Sequence, residues 1–242
     1  MIEIIIALLA SIIAVIFVFA PHEYAHAFVA YKNGDPTPKI RGRLTLNPVK
    51  HIDPAGFIMC AFVGFGWAKP VPVDPYNFRN YKRGMFTTAI AGVVVNYVIA
   101  FIAYLIYVII ARYFYPVAAA GNAALVYFEY FLRYSFYLIF AYSLYSFVFN
   151  LLPLYPLDGF RVVQACTREI NPVQRFLRNY GQLILIILIV ESFICGIVVD
   201  RVPDVRVKTI VNYFDILGYV GWFAENIIGF PIKAAWGWIL RL

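Results

Sequence analysis

The feature that most constrains this chain is a series of long, mostly uncharged apolar segments. A hydrocarbon core about 30 Å thick is crossed by about 20 apolar helical residues, and four segments come close to or exceed that length, at residues 4–31, 85–111, 134–152 and 183–199. The chain is 63% hydrophobic and 14% charged, whereas soluble domains are about 45–50% apolar and about 25% charged. The sequence therefore predicts an all-α polytopic membrane protein with about four or five transmembrane helices.

The connection between the first two segments has a different composition, because it contains seven prolines between residues 36 and 75. Its pieces "RGRLTL" and "GFGWAKPVPV" resemble extended chain, and "AGFIMCAFVGFGWA" is apolar but too short to span. Irregular backbone at membrane depth has to be covered by protein or line a wet cavity. We therefore expect a Pro/Gly-rich, partly β re-entrant element at about residues 54–75.

The chain divides into a membrane core over residues 1–199 and a C-terminal segment over residues 200–242. The C-terminal segment holds a weaker apolar stretch near 211–230 that includes Asp215 and Glu225. Such a stretch is compatible with a fifth span, a re-entrant segment or an interfacial helix. These alternatives remain open at this point.

The basic residues lie in the connections between apolar segments, so the net charge of +7 indicates membrane topology and not nucleic acid binding. The connections after the first and third spans carry most of them. By the positive-inside rule these connections are cytoplasmic and the amino terminus lies outside. The three scattered cysteines predict neither a disulfide framework nor a thiolate metal site.

A His-Glu-x-x-His motif occupies the cytoplasmic end of the first span. His22 and His26 are four residues apart, so in a helix both imidazoles project from one face and can bind one metal, with Glu23 beside them. At 1.5 Å per residue, His26 and His22 lie roughly 9 and 15 Å deeper than Lys32. Histidines within a span also form plain interhelical hydrogen bonds. The cost of ionisable groups at that depth favours a functional site.

Asp158 is the expected third ligand. An isolated Asp-Gly pair is usually only a turn, but Pro153 and Pro156 break the chain directly after the third span and favour a ligand at this depth. Two imidazoles and one carboxylate leave one position of a tetrahedral Zn²⁺ open for water, and Glu23 can serve as its general base. The carboxylates of Asp158 and Glu23 balance the charge of one Zn²⁺ per chain.

With these motifs the chain resembles the site-2 protease family of intramembrane zinc metalloproteases. The resemblance rests on "HEYAH", on "NLLPLYPLDG", and on the connecting "GDPTPKIRGRLTLNPVKHIDPAG" and "GFGWAKPVPVDPYNFRNYKRG". These stretches resemble the smaller prokaryotic branch, which has no PDZ domain. The resemblance covers roughly residues 15–165, and the paired motifs make it specific.

The resemblance implies Zn²⁺ bound by His22, His26 and Asp158, with Glu23 as the catalytic base. It further implies a membrane-anchored protein substrate, a prokaryotic cell membrane as the location, and a role for Asn150 in substrate binding or oxyanion stabilisation. The active site then lies toward the cytoplasmic side of the bilayer.

Two polar residues have open roles. The second span reads "AGVVVN", in which Val93 stands where the family commonly has proline, so a kink at that point is in doubt. Asn96 in this stretch either faces the substrate or forms an interhelical hydrogen bond. His51 either approaches the metal as an electrophile or is a structural loop histidine.

A peptide bond within a transmembrane helix is tied into the backbone ladder, so a substrate has to be locally extended before water can attack it. We expect the segment from Gly64 to Val73 to pair with the unwound substrate by strand addition. Gly64 and Gly66 would let the two backbones approach closely.

The sequence therefore predicts an intramembrane zinc endopeptidase that cuts a membrane-anchored protein within or near the bilayer, as in regulated intramembrane proteolysis. Two alternatives use the same residues. One is a zinc hydrolase acting on a lipid-like amide or ester, and the other is an inactive homologue that only binds membrane proteins. The intact Glu23 argues against the second alternative.

Overall fold

The computed structural model describes residues 1–63, 66–167 and 171–240, and its regular structure is helical throughout this part of the chain. Three described helices are long and apolar enough to cross a membrane, namely Ile2–Lys32, Tyr81–Ala119 and Pro172–Arg201. The prediction of an all-α membrane protein is confirmed.

Helix α1, Ile2–Lys32, is the first of these helices and carries the His-Glu-x-x-His motif in its last three turns. Pro21 lies inside the helix immediately before His22. The helix ends at Asn33, whose side chain donates to Thr87 Oγ1 over 2.9 Å. Gly34 follows with a φ of 113°, a conformation that favours glycine and turns the chain away from the helix axis.

Helices α4, Tyr81–Ile109, and α6, Ala123–Asn150, pack against α1 and form the centre of the molecule. Small residues let these helices approach closely. The central cluster contains Ala10 and Ala14 of α1, Ala100 and Ala103 of α4, and Leu138, Ile139, Phe140 and Leu144 of α6. A π-helical turn, Ile110–Phe114, joins α4 to the short helix α5, Tyr115–Ala119.

The third predicted span, residues 134–152, corresponds to the C-terminal part of α6. This helix begins earlier, at Ala123, and is rich in Tyr and Ser, so it is absent from the set of described helices that are apolar enough to cross a membrane. Its packing between the other helices nevertheless places it in the core. That it spans the bilayer stays a prediction.

The Pro-rich connection folds into short helices and irregular chain. It contains α2, Thr37–Ile40, and α3, Pro54–Val63, so the apolar stretch predicted as part of a re-entrant element is helical over most of its length. Among the described residues its partly β character is limited to one isolated antiparallel bridge between Ile52 and Ala68. Gly64 lies outside the described residues.

Helix α7, Asp158–Cys166, starts at the predicted metal ligand and packs against α4. A Cβ at Gly159 would overlap with the carbonyl oxygens of Leu151 and Leu152, so glycine lets α7 begin directly against the end of α6. This contact brings Asp158 back to the level of the histidines.

Helix α8, Pro172–Arg201, is the most peripheral of the long helices. Many of its large apolar side chains are exposed, as expected for a helix that faces lipid. The segment predicted as interfacial or as a fifth span forms three shorter helices, α9 (Val205–Phe214), α10 (Ile216–Phe223) and α11 (Phe230–Ile239). Trp236 of α11 donates from Nε1 to Phe101 O over 2.9 Å, which ties this segment to α4.

Candidate metal centre

His22, His26 and Asp158 meet in a buried cluster between α1, α4 and α7. Their potential ligand atoms lie within 4.8 Å of one another. The two Nε2 atoms are 3.0 Å apart, and Asp158 Oδ2 lies 3.3 Å from His22 Nε2 and 3.0 Å from His26 Nε2. All three side chains are more than nine-tenths buried. The structure thus brings together the three residues predicted to bind metal.

The chemistry of these atoms fits a zinc ion. Ligands about 2.0–2.1 Å from a tetrahedral zinc are about 3.3 Å from each other, close to the separations observed here. His26 Nδ1 lies 2.7 Å from Thr88 O, and because a carbonyl only accepts, that nitrogen carries the proton. His26 Nε2 therefore presents a lone pair to the cluster. A carboxylate oxygen and a bare imidazole nitrogen in contact require a cation or a shared proton between them.

One face of α4 supports both imidazole rings. Thr88, Gly92 and Asn96 are spaced four residues apart, so they lie on the same face of the helix. Thr88 O accepts from His26, and Asn96 Nδ2 lies 3.0 Å from His22 Nδ1. A Cβ at Gly92 would lie 2.5 Å from His26 Nε2 and 2.7 Å from His22 Cε1. The rings fit against α4 only because residue 92 has no side chain.

Glu23 lies next to this cluster and is held by the backbone of the Pro-rich connection. Val71 N donates to Glu23 Oε2 over 2.9 Å, and both residues are buried. Val71 stands between Pro70 and Pro72, which have no N–H, so its amide is the only backbone donor of the three residues. The Val71 amide therefore holds Oε2 of the predicted base, and neither neighbouring residue has an N–H that could replace it.

Several contacts hold the segment from Lys69 to Asp74 across the site. The Arg43 guanidinium donates to Lys69 O, and Lys69 N donates to His51 O over 2.8 Å. At the other end, Asp74 N donates to Asp35 Oδ2 over 2.8 Å. The amide of Val71 therefore faces Glu23 from a segment that is held at both ends.

Asp35 anchors this arrangement from just beyond α1. Its Oδ1 accepts from Thr37 N and Asn77 Nδ2, in addition to the bond from Asp74 N to Oδ2. Burial alone raises the pKa of this carboxyl group, but the hydrogen bonds from these three residues favour the ionised form more strongly, and the net pKa is below its ordinary value. Asp35 is therefore a structural carboxylate.

His51 and Gly66 lie in the same region but outside the metal cluster. His51 Nε2 lies 2.6 Å from Thr45 O, and burial lowers the pKa of this histidine. A Cβ at Gly66 would overlap with Gly56 O, so glycine at this position permits close packing of the segment on α3. The structure places both residues in contact with other parts of this chain.

Asn150 lies at the end of α6, where its Nδ2 is 3.0 Å from both Ser146 O and Ser146 Oγ. Ser146 Oγ also accepts from Asn96 Nδ2 over 2.8 Å. Asn150 is thereby connected to His22 through Ser146 and Asn96. The interhelical hydrogen bond considered for Asn96 is present, and it leads to a metal-binding histidine.

A cavity of about 150 Å³ borders the centre beside α7. Arg161 lines it and lies 3.7 Å, through Nη1, from Asp158 Oδ1. The other lining residues are Val73, Pro75, Met85, Thr88, Ala89 and Gln164. The cavity therefore lies beside the metal centre and is lined by both polar and apolar residues.

Sequence reasoning missed the residues that hold the motif in place. Thr88 acts through its backbone oxygen, and Val71 through its backbone N–H, so neither side chain signals the contact. Arg43 is one of several basic residues in its connection, and only the structure shows that its guanidinium is buried and needs a partner. The single amide between Pro70 and Pro72 was visible in the sequence, although its partner was not.

Comparison with known proteins identifies a peptidase family and relatives that are named as metalloproteases. The model of peptidase family M50 matches residues 10–191. The protein named "Putative zinc metalloprotease YwhC" from Bacillus subtilis (strain 168) is 39% identical over 180 residues, which are 74% of this chain and 79% of that protein. The protein named "Putative zinc metalloprotease Rip2" from Mycolicibacterium smegmatis is 28% identical over 178 residues, 70% of this chain and 62% of that protein. No solved structure matches significantly.

This protein, in which two histidines of an apolar helix and an aspartate of a second helix meet in one buried cluster, belongs to the class of membrane metalloproteases. The chain belongs to peptidase family M50, the site-2 protease family, as the resemblance of its motifs predicted. The family is zinc-dependent, so zinc is the cofactor of this protein.

Proposed function

We propose that the protein is an intramembrane endopeptidase that hydrolyses a peptide bond of a membrane-anchored protein within or near the bilayer. The observation that carries this proposal is a buried cluster of three ligand side chains, of which two lie on a helix that is apolar enough to cross a membrane and the third begins α7. Ionisable groups at such a position are costly unless they bind a metal or each other. Release of a fragment from the membrane, as in regulated intramembrane proteolysis, would be the outcome.

In the proposed mechanism, His22, His26 and Asp158 hold the metal. Zinc bound there supplies a Lewis acid for the scissile carbonyl and for water. Glu23 takes the proton from the attacking water and gives it to the leaving amine. Val71 N–H holds Oε2 of that carboxylate, so that Oε1 is left to receive the proton. The Asn150 amide turns from Ser146 to donate to the developing oxyanion.

The substrate reaches the centre in an extended conformation. The described segment 66–74 is irregular and crosses the site, so it offers backbone groups to an unwound chain. Pro70 and Pro72 have carbonyls but no N–H, and the amide between them is occupied by Glu23. Pairing with substrate at residues 70–72 therefore has to use enzyme carbonyls, which accept from the N–H groups that unwinding frees.

The basic connections suggest that the amino terminus of α1 lies outside the cell membrane and that the metal centre is nearer the cytoplasm. Cleavage at that depth would release the cytoplasmic part of a substrate. We propose a prokaryotic cell membrane as the location, since both related proteins named above are bacterial.

Two variants separate metal binding from chemistry. Glu23→Gln should keep near-stoichiometric zinc and lose cleavage, because the base is not a ligand. His22→Ala should lose both. Purified full-length variants are compared for zinc content and for cleavage of single-span membrane proteins found to accumulate in cells that lack the enzyme. Normal cleavage by Glu23→Gln would disprove the mechanism, and accumulation of a lipid amide or ester without any protein change would favour a lipid hydrolase.

A further inference from the structure

The two metal-binding histidines have second contacts of different chemical kinds. His26 Nδ1 faces Thr88 O, and a carbonyl can only accept. This contact restricts neutral His26 to the form with a proton on Nδ1 and a lone pair on Nε2. His22 Nδ1 instead faces the side-chain amide of Asn96, which has a donor atom and an acceptor atom. The tautomer of His22 is therefore not determined by its neighbour in the same way.

The Asn96 amide orientation with Nδ2 toward His22 suits only the tautomer of His22 that cannot bind zinc. Asn96 Nδ2 lies 3.0 Å from His22 Nδ1, so a hydrogen bond between them requires a lone pair on Nδ1 and places the ring proton on Nε2. That proton points toward Asp158 Oδ2, which is 3.3 Å away. A histidine with its proton on Nε2 cannot bind a metal through that atom.

Asn96 also has an unused acceptor. The residue is fully buried, and its Oδ1 has no hydrogen-bond partner among the described residues. Reversal of the amide would place Oδ1 where Nδ2 now lies, within reach of both His22 Nδ1 and the Ser146 hydroxyl, 2.8 Å from that position. An oxygen there accepts from Nδ1–H and from Oγ–H, so His22 Nε2 then presents a lone pair.

We propose that Asn96 is a positioning residue for His22: it accepts from His22 Nδ1–H through Oδ1 and so stabilises the tautomer that leaves Nε2 free for the metal. The inference rests on the metal centre of the proposed function, and it makes no use of the cleavage reaction. Histidines that bind metal generally donate their second N–H to an acceptor, and loss of that acceptor weakens metal binding about 10–100-fold.

The test measures Zn²⁺ binding by full-length protein in detergent, in competition with a chelator of known affinity. Asn96→Leu removes both polar atoms and should weaken Zn²⁺ binding about 10–100-fold. Asn96→Asp keeps only acceptors and should bind Zn²⁺ at least as tightly as wild type. Ser146→Ala keeps Asn96 and should change the affinity much less than Asn96→Leu does.

A spectroscopic readout tests the tautomer of His22 directly. The chain has three histidines, so ¹⁵N-histidine labelling gives few imidazole signals, and His22→Ala assigns those of His22. We expect the His22 proton on Nδ1 in wild type with zinc, and on Nδ1 both with and without zinc in Asn96→Asp.

The outcomes distinguish this inference from the metal site itself. If wild type and His22→Ala bind Zn²⁺ equally, the metal site is wrong. If wild type binds Zn²⁺ at His22 but Asn96→Leu binds it equally well, or Asn96→Asp is as weak as Asn96→Leu, the positioning role is overturned. A His22 proton on Nε2 in zinc-free Asn96→Asp overturns the tautomer assignment. The last measurement stands even where Asn96→Leu does not fold.

Discussion

The backbone amide of Val71 offers a direct test of how Glu23, the proposed catalytic base, is held. Its N–H donates to Glu23 Oε2 over 2.9 Å in a buried setting. The sharpest perturbation replaces the valine by its α-hydroxy acid, which converts the amide to an ester and removes only the donor. Val71→Pro removes the same donor by ordinary mutagenesis. Val71→Ala is the matched control, because it shortens the side chain and keeps the amide.

The expected effect follows from the charge of the acceptor. A hydrogen bond to a charged group contributes about 1.5–3 kcal/mol. If all of it serves to hold Glu23 in the geometry needed for proton transfer, its loss lowers kcat about 10- to 150-fold. KM should change little, because the amide is already engaged by Glu23 and is not available to the substrate.

The assay uses purified enzyme in detergent or liposomes with a single-span substrate, and it determines kcat, KM and zinc content for each variant. The ester and Val71→Pro should share a low kcat with full zinc occupancy, whereas Val71→Ala should stay near wild type. A raised KM with unchanged kcat in the ester variant would refute the reasoning, because the amide would then serve the substrate and not the base.

Other consequences of the structure can be measured in the same way. Gly92→Ala should weaken zinc binding about 10-fold or more, because its Cβ would lie 2.5 Å from His26 Nε2, whereas Gly196→Ala has no atom within 4 Å of the added Cβ and should bind zinc normally. Asn150→Ala should lower kcat about 10²–10³-fold with zinc retained, and loss of zinc would instead indicate a structural role. Asp35→Asn should lower the free energy of unfolding at neutral pH by about 1.5–3 kcal/mol. Because the pKa of Asp35 is lower in the folded protein than in the unfolded chain, wild type is the more stable protein above the unfolded pKa of about 3.9, and this difference disappears as the pH falls through the folded pKa. Thermal unfolding of both proteins across this pH range measures the difference. Substrates with Gly or Pro near the cut site should be cleaved faster than leucine-rich helices, and equal rates would contradict substrate unwinding.

The cluster of three proposed metal ligands could be predicted because the signals of these residues are local. The spacing of His22 and His26 follows from helix periodicity alone, and an apolar helix needs a reason to hold them. Asp158 was accessible through the prolines that precede it, which end α6 and turn the chain back. No alignment of helices was required for any of these inferences.

The contacts around the ligands depend on how α1 and α4 are aligned, which no local pattern specifies. Thr88 reaches His26 and Asn96 reaches His22 because the helices are antiparallel and offset by a particular amount. A shift of one turn along the axis, about 5.4 Å, would pair different residues while leaving each sequence pattern unchanged. The role of Asn96 therefore stayed open until the packing was known.

The sequence analysis predicted strand-like pieces in the Pro-rich connection, but the described residues there form less extended pairing than expected. Extended backbone forms a ladder only when alternate N–H groups are available, and Pro70 and Pro72 remove them. The described residues keep a single bridge, Ile52 to Ala68. The residues that prevented a strand are the same ones that reserve the amide of Val71 for Glu23.

The separation of the metal ligands along the chain has a consequence for how the enzyme is made. Two ligands lie on α1 and the third begins α7, about 130 residues later, so at about 5–20 residues per second a ribosome needs roughly 7–26 s between them. During that interval the nascent chain carries His22, Glu23 and His26 in the membrane without Asp158. The hydrolytic centre is therefore completed only after most of the protein has been inserted. A partly synthesised chain cannot cleave neighbouring membrane proteins.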